Sequence, residues 1–126
     1  MNTNRSGHLS ADVNTAGDPQ PFRVTHGLYF HDRPGIHCIE ADNGKGTAFY
    51  VYLPVGIQSG SFSLGLSERS PMVIHVTGNS EAKLYRGALD LTVGGDAQFA
   101  GSFSGLDADG LEVTNGRFRL EHDASA

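Results

Sequence analysis

The segment from Ala82 to Glu121 alternates apolar and polar residues between glycine-rich turns, and this alternation constrains the fold more than any other feature of the chain. Every second residue of its first run is apolar: Leu89, Leu91 and Val93. Successive side chains of an extended strand point to opposite faces, so such a run buries one face only. The following Gly94-Gly95-Asp96 is typical of a tight turn, which requires positive φ. The pattern predicts a hairpin from about Tyr85 to Ser104.

The alternation changes phase at Asn115-Gly116. Leu111 and Val113 lie at odd positions before it, whereas Phe118 and Leu120 lie at even positions after it. Two structures explain the change: a type I′ hairpin, or a single long strand with a glycine bulge whose extra residue shifts the phase. Because Asn-Gly between alternating runs is the strongest local hairpin signal, the hairpin is the favoured interpretation.

The rest of the chain has the same organisation, with short apolar runs that recur about every 10 to 14 residues and no window of helical period. Thr47 to Leu53 is apolar on both faces, which indicates a central strand. Residues 14–21 contain Gly17, Pro19 and Pro21 and are expected to form a loop. Residues 1–6 are polar and expected to be disordered, and residues 7–123 are expected to form a single domain.

The predicted fold is therefore all-β. Strands at this spacing, separated by glycine and proline turns, indicate an antiparallel β-sandwich of about seven to nine strands. A small β-barrel is the alternative.

The charge and the cysteine count limit the classes of partner. The net charge is −5, and the nine Lys and Arg residues are spread along the chain without a basic stripe. This distribution argues against nucleic acid or an anionic membrane as the main partner. The single cysteine excludes an internal disulfide.

The chain shows neither a membrane span nor a signal peptide, so we expect a cytoplasmic protein as written, and an envelope or secreted one if a leader has been removed.

Three short motifs resemble a known family. They are Gly87-Ala88-Leu89-Asp90-Leu91, Gly101-Ser102-Phe103 and Val113-Thr114-Asn115-Gly116-Arg117-Phe118. The chain resembles small glycine-rich all-β bacterial proteins of unknown function, many of them envelope lipoproteins, whose C-terminal half carries such G-x-F motifs. The resemblance implies a fold rather than an activity, because the motifs consist of glycines and core aromatics. It implies no catalytic residues, and this chain lacks the cysteine that would carry a lipid anchor.

Asp107, Asp109 and Glu112, with Gly110 between them, suggest a calcium loop. Carboxylates at alternate positions around a glycine can hold Ca²⁺, as loops of the EF-hand type do. The run is short, however, and Glu112 comes too early for the bidentate position. A polar hairpin tip, where Asp and Gly are favoured by turn geometry alone, is the plainer interpretation.

A second group of residues suggests a zinc site. His31, Asp32, His37 and Cys38 flank a predicted turn, and their imidazole, carboxylate and thiol groups suit Zn²⁺. A pairing of His31 with Ile36 would nevertheless place the two histidines on opposite faces of the hairpin. No cofactor is therefore predicted.

Three histidines are candidates for a pocket: His26, His37 and His75. His26 is in phase with the apolar residues around it and is expected to face the core. His75 alternates with Met72, Ile74 and Val76 and is expected to face outward or towards a neighbour. No catalytic residue is assigned, since the chain has no G-x-S-x-G nucleophile motif.

Tyr50 and Tyr52 share one face of the predicted central strand and are the favoured binding residues, since tyrosine pairs stack on rings and join interfaces. The sequence thus favours a non-enzymatic binding or protein-interaction module with an unidentified ligand. The alternative is a small-molecule enzyme or ligand carrier that uses a histidine-lined pocket. We also expect a homodimer, formed through an edge strand or through the Tyr50/Tyr52 face.

Overall fold

The computed structural model describes residues 3–65 and 70–122, which form eleven strands and no helix. The strands are β1 (Thr3–Arg5), β2 (Gly7–Thr15), β3 (Asp18–Val24), β4 (Leu28–Arg33), β5 (Ile36–Asp42), β6 (Thr47–Pro54), β7 (Gly60–Leu64), β8 (Met72–Thr77), β9 (Ser80–Val93), β10 (Phe99–Asp107) and β11 (Glu112–Leu120). The all-β prediction is confirmed. The strand count exceeds the predicted range because two long segments are each interrupted once.

These two segments are β1 with β2, and β3 with β4. Leu9 of β2 pairs with Val24 of β3, and Arg5 of β1 pairs with Leu28 of β4, so the second ladder continues the first in one antiparallel direction. From β4 the sheet proceeds through β5, β6, β8, β9, β10 and β11, and then returns to β2. A sheet that comes back to its first strand is a nearly closed barrel, so the barrel form of the all-β prediction describes this topology.

The longest strand, β9, joins the two sides of the barrel. Ser80 to Lys83 pair with β8, and Gly87 to Leu91 pair with β7, which therefore follows β8 along the same edge of β9. The other edge pairs with β10 from Leu84 to Val93. The hairpin predicted around Gly94-Gly95-Asp96 is confirmed, and both glycines have positive φ, 82° and 83°.

Apolar side chains fill the middle of the barrel. The largest fully buried ones are Phe49, Phe118, Leu9, Leu28, Ile39, Leu53, Leu84, Leu89, Leu120, Val24, Val51 and Val73. They come from nearly every strand of the barrel. The core therefore holds the strands together by burial of apolar surface, the main favourable term in folding.

Two glycine–phenylalanine pairs connect β10 to β11. Gly101 lies opposite Phe118, and Phe103 lies opposite Gly116. A Cβ on Gly101 would lie 2.9 Å from the Phe118 ring, and a Cβ on Gly116 would lie 2.5 Å from the Phe103 ring. Each ring therefore occupies the space that the opposite glycine leaves, and the two G-x-F triplets of the sequence form one reciprocal packing unit.

The phase change at Asn115-Gly116 is a bulge. β11 continues through it, and Asn115 has a φ of 55°. Thr114 pairs with Asp12 and Arg117 pairs with Ser10, so β11 advances three residues while β2 advances two. The hairpin interpretation is wrong. Residues after the break pair with β2 and β10, and this long-range pairing overrides the local turn signal.

The N-terminal residues are ordered where they are described. Thr3–Arg5 form β1, and Arg5 is only 9% exposed. Its guanidinium lies 5.1 Å from the centre of the Phe30 ring and donates a hydrogen bond to the backbone oxygen of Glu121. The prediction of disorder is therefore wrong for residues 3–6, since β1 is stabilised by contacts distant in sequence. Residues 1, 2, 66–69 and 123 of the predicted segments lie outside the described residues.

The predicted loop at residues 14–21 is instead mostly strand. β2 extends to Thr15 and β3 begins at Asp18, with Ala16 and Gly17 at positive φ between them. β3 pairs only with β2 among the described strands, so it is an edge strand. Proline is tolerated there because an edge strand has one side without ladder hydrogen bonds.

Replacing Gly101 with alanine should lower the free energy of unfolding by about 1 to 3 kcal/mol, because the new Cβ would overlap the Phe118 ring and the backbone oxygen of Asp90. Urea denaturation measures this change. The matched control is Gly60→Ala, whose Cβ would make only ordinary contact, at 3.7 Å, with Phe62. Equal losses in both variants would contradict the packing account, and a second change, Phe118→Leu, should restore part of the loss.

Candidate functional site at the barrel mouth

A cavity of about 400 Å³ opens at one end of the barrel, between the edge strand β3, the β5–β6 turn and the end of β8. Its lining consists of Val13, Thr15, Gln20, Pro21, Phe22, Asn43, Lys45, Thr47, His75, Thr77 and Leu111. The cavity lies here because β4 pairs with β5, whereas β3, the strand before β4, pairs with neither β5 nor β6. This separation leaves room between the β3 edge and the β5–β6 turn.

His75 lies on the wall of this cavity and belongs to the barrel interior. It is 3% exposed, and its ring stacks on Phe49 with centroids 4.9 Å apart. Its Nδ1 lies 3.0 Å from Oδ2 of Asp107, which is fully buried at the end of β10. The two residues form a buried imidazole–carboxylate pair.

The second carboxylate oxygen of Asp107 holds the β10–β11 turn. Oδ1 accepts the backbone N–H of Asp109 and that of Leu111, each at 2.9 Å. An ionised carboxylate only accepts hydrogen bonds, so Nδ1 of His75 carries the proton in this pair. The nitrogen left for the cavity is Nε2. Asp107 thereby fixes both the orientation and the tautomer of the histidine.

The other two histidine candidates lie elsewhere. His26 is exposed in the β3–β4 connection, so the prediction that it faces the core is wrong. The apolar alternation around it crosses a break between two strands and does not report on the residue in the break.

His75 was predicted to face outward or towards a neighbour, but it faces inward. Val73 and Ile74 are both buried, and with apolar residues on both faces of β8 the sequence does not reveal which face is the core.

His37 and His31 lie on opposite faces of the β4–β5 hairpin, as predicted. His31 pairs with Cys38, so the register with His31 opposite Ile36 is wrong. The Nδ1 of His37 lies 2.6 Å from Oδ1 of Asp32, near the end of the barrel opposite the cavity. On the outer face, Nε2 of His31 lies 2.9 Å from Oε2 of Glu40. The zinc candidates are therefore divided between two faces.

The calcium candidates are also separated. Asp107 points towards His75, Oδ2 of Asp109 accepts a hydrogen bond from Ser80, and Oε1 of Glu112 accepts one from Asn14. Across residues 3–65 and 70–122, no group of three His, Cys, Asp or Glu residues comes together in a way that could hold a metal ion. The carboxylates of this run hold the turn and its neighbours.

Tyr50 and Tyr52 share one face of β6, as predicted, and it is the outer face of the barrel. The opposite face of the strand carries Phe49, Val51 and Leu53, which are buried. Both tyrosines are half-buried, and their rings stack with centroids 6.2 Å apart. Partial burial raises the pKa of Tyr52 to about 12, although the nearby positive charge of Arg33 opposes the rise. The Arg33 guanidinium lies 5.7 Å from the centre of the Tyr52 ring.

Sequence reasoning missed the partner of His75. Asp107 lies 32 residues away, and the run around it predicts a calcium loop or a polar hairpin tip but not a partner for a histidine. Asp-x-Asp-Gly between two strands also describes an Asx turn, in which the first aspartate accepts backbone N–H groups. That signal was available for the turn, but the pairing with His75 was not visible in the sequence.

Compared with known proteins, the chain matches no family model, no curated protein and no solved structure. The resemblance to glycine-rich bacterial proteins therefore remains a prediction. Within the described residues there is no helix long and apolar enough to cross a membrane.

Asp107→Asn should move the proton of His75 from Nδ1 to Nε2, because the asparagine amide would present a donor where the carboxylate presents an acceptor. The ¹⁵N shifts of the imidazole in a long-range ¹H–¹⁵N spectrum distinguish the two tautomers. Asp109→Asn, at an exposed position of the same turn, is the control and should leave the tautomer unchanged. An unchanged spectrum in Asp107→Asn would show that Asp107 does not fix the ring.

Tyr52 should ionise near pH 12, later than an ordinary tyrosine with a pKa of 10. Because its pKa is raised in the folded state, the unfolded chain loses the proton first, and stability should fall as the pH rises from 10 to 12. Phenolate absorbance during a pH titration measures the ionisation. Tyr52→Phe should remove this last phase, whereas Tyr29→Phe, at an exposed position, should retain it.

Proposed function

We propose that this chain is a non-enzymatic binding module that holds a small molecule in the cavity at the barrel mouth. The observation that carries the proposal is the buried His75–Asp107 pair on the wall of a cavity of about 400 Å³. Ligand pockets typically have volumes of about 300 to 1,000 Å³ and combine apolar walls with a few oriented polar groups. The cavity meets both criteria.

The pair gives the cavity a defined polar contact. An imidazole that is held by a carboxylate presents one nitrogen in one orientation, as in many binding and catalytic sites. The surrounding Phe22, Val13 and Leu111 supply apolar surface. A ligand with a polar group directed at His75 and an apolar part against these residues would bury both types of surface.

An imidazole–carboxylate pair can also transfer a proton, which is the basis of the enzyme alternative. Nucleophilic catalysis generally uses an activated nucleophile within reach of the base. The lining includes three threonines and Lys45, whose side chains can act as nucleophiles. Among the described residues, however, the side-chain hydrogen bond of His75 goes to Asp107 and not to any of them, which favours binding over covalent catalysis at this site.

Protein interaction through Tyr50 and Tyr52 is the second candidate. It is favoured by one observation, the stacked and half-buried tyrosine pair on the outer face of the barrel. Tyrosine is enriched at interfaces because it combines a large apolar ring with a polar end. A homodimer through this face would appear in light scattering as a mass twice that of the chain.

A fragment library observed through the amide resonances of the protein tests the binding proposal. We expect binding fragments to shift the resonances of cavity residues, Thr77 and Leu111 among them. Thr77→Phe should weaken these fragments at least tenfold, because the new ring would fill part of the cavity. The ligand signals in the same samples would report any turnover.

The matched control is Thr92→Phe, an equal change at an exposed threonine on β9 outside the cavity. It should leave the cavity shifts intact. Fragments that shift only the resonances around Tyr50 and Tyr52 would replace the proposal with the interaction surface. Conversion of a fragment by the wild-type protein, lost in His75→Gln, would replace it with the enzyme alternative.

A further inference from the structure

We infer that the ligand of the mouth cavity is a small organic anion, with its charged group at Lys45 and an apolar part against Phe22. This ligand class rests on the proposed binding function. The first observation is the charge of the lining. The chain carries 14 Asp and Glu residues and a net charge of −5, yet the cavity is lined by a lysine and a histidine and by no carboxylate.

The turn that carries Lys45 is held in place by its own side chains. The Asp42 carboxylate accepts the backbone N–H of Gly44 at 2.7 Å, and Asn43 Oδ1 accepts that of Lys45 at 2.7 Å. Thr47 donates a third backbone bond, at 3.3 Å, to the same oxygen of Asn43. The backbone of the turn is therefore ordered before a ligand arrives, which reduces the entropic cost of binding.

The bonds within the turn also determine what Asn43 can offer. Its side-chain oxygen is occupied by two backbone N–H groups, and the amide nitrogen, a donor only, forms no hydrogen bond within residues 3–65 and 70–122. Among the described residues, Lys45 forms no salt bridge. The rim on this side of the cavity consequently presents an ammonium and an amide donor, which is the complement of a carboxylate.

The opposite side of the cavity carries an apolar surface formed by three residues, beside the polar Thr15 and Gln20. Phe22 and Val13 are buried, and Leu111 is half-buried. Phe22 packs edge-on against Phe49, with centroids 5.1 Å apart, so its position is fixed by the core. An inorganic anion would leave this surface without a partner. An organic acid with a hydrocarbon or aromatic part would cover it.

Two acids and their neutral amides, which are nearly equal in size, distinguish the contribution of ligand charge to binding from the contribution of ligand shape. Benzoate and hexanoate are titrated against benzamide and hexanamide, with the amide resonances of the protein as the readout. We expect the two acids to shift cavity residues and to bind at least tenfold more tightly than the two amides. Lys45→Gln should weaken the acids about tenfold and leave the amides unchanged, and Lys45→Arg should retain the preference for acids.

The control for net charge is Lys83→Gln, which removes an equal charge from β9 outside the cavity and should leave acid binding unchanged. Equal binding of acids and amides in the cavity would overturn the ligand class while leaving the binding function in place. No cavity shift from any of the four compounds, together with no hit from the fragment library, would overturn both. Equal weakening by Lys83→Gln would show a non-specific charge effect and would also overturn the ligand class.

Discussion

The reciprocal contact between β10 and β11 is the interaction on which the rest of the structure depends. Phe118 fills the space above Gly101, and Phe103 fills the space above Gly116. A shift of β11 by one residue relative to β10 would turn Phe118 to the outer face and would move each ring away from the glycine opposite it. The contact therefore specifies the register of the hairpin. Because β11 continues to β2, the same register also determines how the barrel closes.

The position of the candidate site follows from the register between β10 and β9. With β10 and β9 aligned along their length, Asp107 comes at the barrel end where β8 presents His75. The carboxylate is fully buried, yet each of its oxygens has a partner. Within the described residues no buried side-chain nitrogen or oxygen lacks a hydrogen bond. An aspartate buried without such partners would cost several kcal/mol, so the turn N–H groups and the histidine are what permit a carboxylate at this position.

The sequence pattern correctly predicted those strands and turns whose conformation is determined by residues close together in the chain. The hairpin at Gly94-Gly95 and the strand at Thr47 to Leu53 were predictable because alternation and glycine turns act within a few residues. The same reasoning failed at Asn115-Gly116, where a local hairpin signal competes with pairing to two distant strands. It also failed at β1, which is polar and is ordered by contact with β4 and by the burial of Arg5. Long-range pairing decided each of these cases.

The sequence by itself determined the all-β class, the turns and the shared face of Tyr50 and Tyr52, because a period of two and the φ requirements of glycine are properties of short segments. Only the tertiary structure decided that the sheet returns to its first strand and that His75 faces the interior beside Asp107. The physical reason is that both faces of β8 are apolar, so burial alone does not choose between them. Which face of β8 points into the barrel is determined by the packing of strands that lie far apart in sequence and meet at the barrel mouth.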